Sequence, residues 1–170
     1  PLFRSGSDIS FSYNRKCDSS IEMNFLMMMM DLLSDDGRAG IVIPEGILFD
    51  GSKEPARKEL LNEFNLDTIL ALPEDTFQPY SYVDANVLFF ERDSSGTDEF
   101  WFYDARSDYE NIKDGNPLEF EKHFGEFVEY KDDRESCDKY FKVDVDEVSE
   151  NGHELYLKRY KEYKYEGYRP

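Results

Sequence analysis

The residues of this chain that could do chemistry fall in three places. Glu45 stands directly after Pro44, at the end of an apolar run. Asp75, Phe77 and Tyr80 follow a second apolar run that ends at Pro73. Lys158, Arg159 and Tyr160 lie in LKRYKEYKY, residues 157–165, where basic and aromatic residues alternate. The first two sets sit just past the C-terminal end of an expected strand, where open α/β sheets hold their ligands; each also reads as an ordinary turn. The third combines groups that contact phosphates with groups that stack on bases. It reads equally as a solvated helix face or a docking tail. His123 and His153 lie thirty residues apart, without Cys or Glu at metal-ligand spacing, so structural or solvent-facing roles are expected. Cys17 and Cys137 are a distant pair and read as free thiols. No GxGxxG, P-loop or GxSxG motif is present.

Such groups need elements to position them. SSIE at 19–22 has the form of a capping box, with Ser19 capping and Glu22 reaching back. The helix it starts runs to about Leu33, with Phe25, Leu26, Met29, Met30 and Leu33 on an apolar face. The methionines at 27–30 read as core filler beside a sheet. Gly37 stops the helix. AGIVIP, continuously apolar, predicts a strand buried on both faces. Ser52 is the expected cap of the next helix, with Pro55 in its first turn. That helix carries Ala56, Leu60, Leu61 and Phe64 on one side, and LDTILALP is the second buried strand. Strand, helix and strand together form a right-handed crossover unit. ANVLFFER and EFWFYDAR are two more strands. Beyond Arg106, NPLEFEKHFGEFVEY predicts a helix with Asn116 as cap, Pro117 next and Glu119 in the first turn. Its apolar stripe is Phe120, Phe124, Phe127 and Val128.

Composition narrows the function. The chain has 170 residues, 39% apolar and 16% aromatic, enough for one domain with a real core and an appendage. Its 38 acidic and 20 basic residues give a net charge of −18. Such a surface repels nucleic acid on average, so only a local basic patch could bind it. The most apolar helix candidate, IEMNFLMMMMDLL, is too short and interrupted to span a bilayer. A cytoplasmic protein with no membrane contact is expected.

Taken together, these segments carry a resemblance. SIEMNFLMMMMDLLSDDGRAGIVIPEGILF resembles the stretch that follows the catalytic motif in the methylation subunit of type I restriction–modification systems, an adenine-specific DNA N6-methyltransferase family. LDTILALPEDTF, ANVLFFER and EFWFYDAR are similar to its next strands in order, and ENGHELYLKRYKE to its tail segment, with His153 in place of a usual Tyr. The resemblance implies an α/β fold: the C-terminal half of a Rossmann-like S-adenosylmethionine-dependent methyltransferase sheet with an antiparallel last strand, plus a C-terminal extension. The division expected is 1–106 for the half-domain and 107–170 for a helical or tail extension.

The same resemblance implies the remaining roles. The family's S-adenosylmethionine turn and its NPPF tetrapeptide lie N-terminal to the segments matched. The opening PLF is similar to the end of that tetrapeptide, with Leu2 in place of its second proline, which implies base stacking by Phe3 and a place in the motif for Pro1; the other reading of these residues is linker. S-adenosylmethionine is implied for the complete enzyme and is not expected to bind this chain alone. DNA and the specificity and restriction subunits are the implied partners, with Glu45, Phe77, Tyr80, Lys158, Arg159 and Tyr160 as candidate contacts. Strands 39–44 and 66–72 should run parallel without touching, with 86–92 between them and antiparallel to both. One edge of 39–44 is then left open, to be met by self-association or by the chain's own N-terminal segment. Two other readings stand beside this one: a non-enzymatic interaction module of the same complex, and an acidic DNA-mimic inhibitor.

Overall fold

The computed structural model describes residues 18, 20–74, 76–108, 120–132 and 134–165. Five strands form one sheet: β1 (Arg38–Pro44), β2 (Phe64–Ala71), β3 (Ala85–Arg92), β4 (Glu99–Asp104) and β5 (Tyr140–Asp144). Their spatial order is β1-β3-β2-β4-β5. β3 is antiparallel to both β1 and β2, while β2 and β4 are parallel and β4 and β5 antiparallel. The expected arrangement of the first three strands is therefore the one observed. The connection from 72 to 84 lets the chain reverse beside β2 as an antiparallel neighbour. Among the described residues β1 has no strand on its outer side.

The helices are α1 (Ile21–Leu32), α2 (Glu54–Glu63), α3 (Phe120–Asp132), α4 (Val145–Glu150) and α5 (Leu157–Tyr165). Ser20, rather than Ser19, caps α1: its hydroxyl accepts from Met23 N at 3.2 Å and donates to Glu22. Ser19 itself lies outside the described residues. At the other end of α1, Arg92 donates to the carbonyls of Met30 and Leu33, satisfying groups a helix end leaves open. Asp50, not Ser52, serves as cap before α2. It accepts from Ser52 N, and a single 3-10 turn intervenes before Glu54, with Pro55 in the first turn of the helix.

One large apolar cluster packs α1, α2, α4 and α5 on one face of the sheet, around Met30, Ile43, Leu60, Leu66, Leu88, Phe102 and Tyr160. Met30 is fully buried and Met27 and Met29 pack against this core, so the methionine run fills space beside the sheet. Phe25 does not join them; it is exposed, along with Ile21 and Leu32. A smaller cluster on the opposite face joins Leu70, Tyr103 and Tyr140 to Phe124 and Phe127 of α3. Phe120 and Val128, expected on that stripe, face solvent, and Asn116, Pro117 and Glu119 lie outside the described residues.

β1 departs from its expected double burial. Ile43 is buried, but Gly40 and Val42 on alternate positions are exposed, Val42 at 52%. β5 has no counterpart in the sequence reading; its burial alternates, with Lys142 and Asp144 outward. Gly96 turns the chain between β3 and β4 at φ +78°, where a Cβ would come within 2.9 Å of the Asn62 carbonyl. Among the described residues, no helix is long and apolar enough to cross a membrane.

Candidate functional site

β1, β2 and β4 share one direction, so their C-terminal ends, and the start of β3, lie along one rim of the sheet. Two features occupy that rim. The first is the loop from Leu72 to Asp84. Phe77 is 39% exposed, Tyr80 95% and Tyr82 77%. The Gln78–Pro79 peptide bond is cis. The loop base is fixed by hydrogen bonds from Leu72 N to Ala85 O and from Glu45 N to Asp84 O. Bare aromatic faces on a fixed base suit stacking against a planar ligand. Asp75 lies outside the described residues.

The second feature is a chain of charges. Glu45 is not a free turn carboxylate; it is paired with Arg106, and both side chains are close to nine-tenths buried. Arg106 also points a nitrogen at Asn86 Oδ1, 3.5 Å away. Arg106 N donates to Asp104, whose other oxygen is paired with Lys161 of α5. The Arg106 Nε and Asn86 Nδ2 donors are buried without a partner. Sequence reasoning passed over Arg106, Asn86 and Asp104, because each looks like the polar end of a strand; their joint position became visible only with the strand order.

The tail residues separate. Lys158 and Arg159 are exposed on α5. The Tyr156 hydroxyl beside Lys158 holds its ammonium pKa up, with Glu45 adding to the effect. Arg159 is anchored to Glu154 at 2.6 Å and Asn151 at 3.1 Å. Tyr160, by contrast, is 1% exposed, stacks on Phe102 at 5.7 Å and donates its hydroxyl to the Glu154 carbonyl. Burial drives its pKa far above the usual phenol value. It is a core residue of this chain, and of the three only Lys158 and Arg159 offer side chains to a partner. His153 Nδ1 lies 3.1 Å from Glu54 Oε1, a structural contact. Cys137 is free and exposed. Pro1, Phe3 and Cys17 fall outside the described residues.

The tail is held to the first crossover by a residue that the sequence did not flag. Arg57 is 1% exposed and donates to four carbonyls: Ile47 at 2.9 Å, Asp50 at 2.7 Å, His153 at 2.7 Å and Gly152 at 3.4 Å. Leu155 N adds a bond to Leu48 O, and Phe49 packs on Tyr156 at 5.1 Å. Thus the turn that follows β1 at the rim is clamped from behind by residues 152–156.

Among the described residues, no group of three or more His, Cys, Asp and Glu could hold a metal ion. Nor do the strand ends lead into a glycine-rich turn: they run into Pro44-Glu45, Leu72-Pro73 and Ala105-Arg106. Among the described residues, the rim thus offers stacking and charge.

Comparison with known proteins places this arrangement. The description of the N-6 DNA methylase family matches residues 6–167. The methylase subunit of the type I restriction enzyme EcoEI from Escherichia coli is 34% identical over 143 residues, which is 79% of this chain and 29% of the relative. The methyltransferase subunit of a type I restriction–modification system from Streptococcus thermophilus superposes with a TM-score of 0.72 at 26% identity, over 83% of this chain and 30% of that one. A chain from a structure of complex assembly and conformational transition in the type I R-M system gives 0.74 at 31% identity, over 89% and 34%. The chain thus spans about 30% of the length of the proteins it matches.

Proposed function

The chain belongs to the N-6 DNA methylase family, and from this we propose that it is the C-terminal half of an adenine N6-methyltransferase domain in a type I restriction–modification methylation subunit. The observation that carries the proposal is the reversed β3 set between parallel β1 and β2, with no strand outside β1 among the described residues. A further strand fits there, brought by a polypeptide that also carries the start of the catalytic tetrapeptide and the cofactor turn. S-adenosylmethionine supplies the methyl group in the complete enzyme; its cradle belongs to that other half, since the described residues do not fit it.

This half closes the sheet and furnishes the rim. Phe77 and Tyr80 present aromatic faces to DNA, and Glu45 holds the tip of β1 beside them. Lys158 and Arg159 give a local positive face on an otherwise acidic surface, suited to a phosphate or to an acidic patch of a partner. Phe3 stacks on the extruded adenine with Pro1 preceding it, as the resemblance to the tetrapeptide implies. Specificity and restriction subunits are the partner chains, DNA is the substrate, and the complex works in the cytoplasm. Because a separate subunit reads the sequence, the net charge of −18 is tolerable here.

A labelled-methyl assay tests this reading. The 170 residues alone are expected to transfer nothing to DNA and to show no S-adenosylmethionine binding by calorimetry. Joined to the N-terminal half of a relative, they should restore transfer to adenine. Transfer by the fragment alone overturns the proposal. One observation favours a second reading, a purely interacting module: Lys158 and Arg159 stay exposed on a helix locked to the domain. That reading predicts subunit binding with no methyl transfer in the joined protein.

A further inference from the structure

We propose that Arg106 is a positioning residue for methyl transfer. Acting through Glu45, it fixes the tip of β1 against the base of the aromatic loop, so that the loop meets its substrate in one geometry. The inference rests on the methyltransferase reading above and adds a residue and a role to it.

The geometry is that of a brace. Arg106 leaves the sheet just past β4, and its side chain passes the ends of β2 and β3 to reach Glu45, the first residue beyond β1. Each anchor is itself anchored. Arg106 N is held by Asp104 Oδ1 at 3.0 Å, and Asp104 is paired with Lys161 of α5. Glu45 N is held by Asp84 O at 2.8 Å, at the point where the aromatic loop enters β3. Asn86, 1% exposed, sits under the span. The ends of β1, β3 and β4 are therefore tied together, and the aromatic loop is rooted among them.

Stability is a poor reason for this arrangement. A buried ion pair gains little over apolar residues of the same volume, because both charges must be desolvated. This one also leaves two donors, Arg106 Nε and Asn86 Nδ2, buried without acceptors. Each such orphan works against the fold. What the pair supplies is a direction. The planar guanidinium, held at its backbone end, allows few placements of the carboxylate it grips. Small misplacements of reacting groups lower rates steeply while leaving binding nearly intact, so a brace at the rim should appear in kcat.

The test uses the complete methylating protein that contains this chain. Arg106→Gln and Glu45→Gln are each expected to lower kcat about tenfold. The KM for DNA and the dissociation constant for S-adenosylmethionine should stay within about twofold of the unaltered protein. The double variant should be no slower than either single one, because each residue acts through the other. With 2-aminopurine at the target adenine, the emission rise on DNA binding should shrink in the variants. Undiminished kcat overturns the proposal. So does a double variant whose losses multiply, or a loss of rate that merely follows a loss of thermal stability. If the glutamine variants do not fold, Arg106→Lys carries the test: it keeps the charge but not the fork, and should lower kcat at an unchanged KM, with full rate again overturning the proposal. Absence of transfer by the unaltered protein overturns the methyltransferase reading itself, and so is distinguished from failure of the brace alone.

Discussion

The two edges of the sheet are built for opposite fates. β5 is short, and its outward positions are Lys142 and Asp144, with Lys142 paired to Glu99 at 2.6 Å. That is how an edge strand is made safe in water. β1 carries no charge from Ala39 to Pro44, exposes Val42, and lies beside α1, whose Ile21, Phe25 and Leu32 are also bare. Among the described residues, one edge is charged and the other is apolar with no strand beside it. An apolar strand left exposed in this way marks a surface suited to a further layer.

The largest effect is expected at Arg57, which ties residues 152 and 153 to the turn after β1. Arg57→Ala removes a buried side chain that donates to four carbonyls and should cost about 3 kcal/mol of stability, read from urea unfolding. Hydrogen exchange should show protection lost first around Leu155, whose amide bonds to Leu48. If protection is lost first in β3 instead, the clamp is not what holds the tail.

A smaller effect sharpens the contrast of edges. The isolated chain is expected to associate through β1. Val42→Lys should raise its dissociation constant about tenfold by sedimentation, with a stability change near zero. Lys142→Val on β5 is the mirror experiment and should raise association only at that edge. Equal responses at both edges would remove the distinction.

How much of this was legible beforehand depends on the kind of signal. The order of the first three strands followed from the resemblance to the methyltransferase family, whereas the hydrophobic runs marked only the strands themselves. The double burial expected of β1 failed because a continuously apolar run does not report which of its faces is covered. β5 was missed because YFKVD is five residues long and set among charges, so its alternation did not stand out. Tyr160 looked like a contact residue because its neighbours are basic, yet its place on α5 turns it toward Phe102. Arg57 and Arg106 were invisible for a different reason. Their partners are backbone carbonyls and a carboxylate distant in the chain, and no spacing rule reports such pairs.

The smallest effect expected is with pH. Hydrogen bonds from Ser52 hold the Asp50 carboxyl below its ordinary pKa, and those from Ser95 do the same for Asp93. A lowered folded pKa means stability that is present above the usual aspartate range and lost as pH falls through the folded values. Asp50 and Asp93 are both exposed, so a slight decline in the urea midpoint below that range is expected. Asp50→Asn should flatten its share of the decline, whereas a midpoint that rises on acidification would contradict the sign.

The Arg57 clamp also sets a timetable for synthesis. Two of its acceptors, Gly152 and His153, lie 95 and 96 residues further along the chain. As the protein leaves the ribosome, α2 and the turn after β1 emerge first, with only Ile47 and Asp50 available to the guanidinium. Until residues 152 and 153 are made, that charge must stay hydrated. The crossover from β1 through α2 to β2 is therefore completed only after a segment far along the chain has emerged.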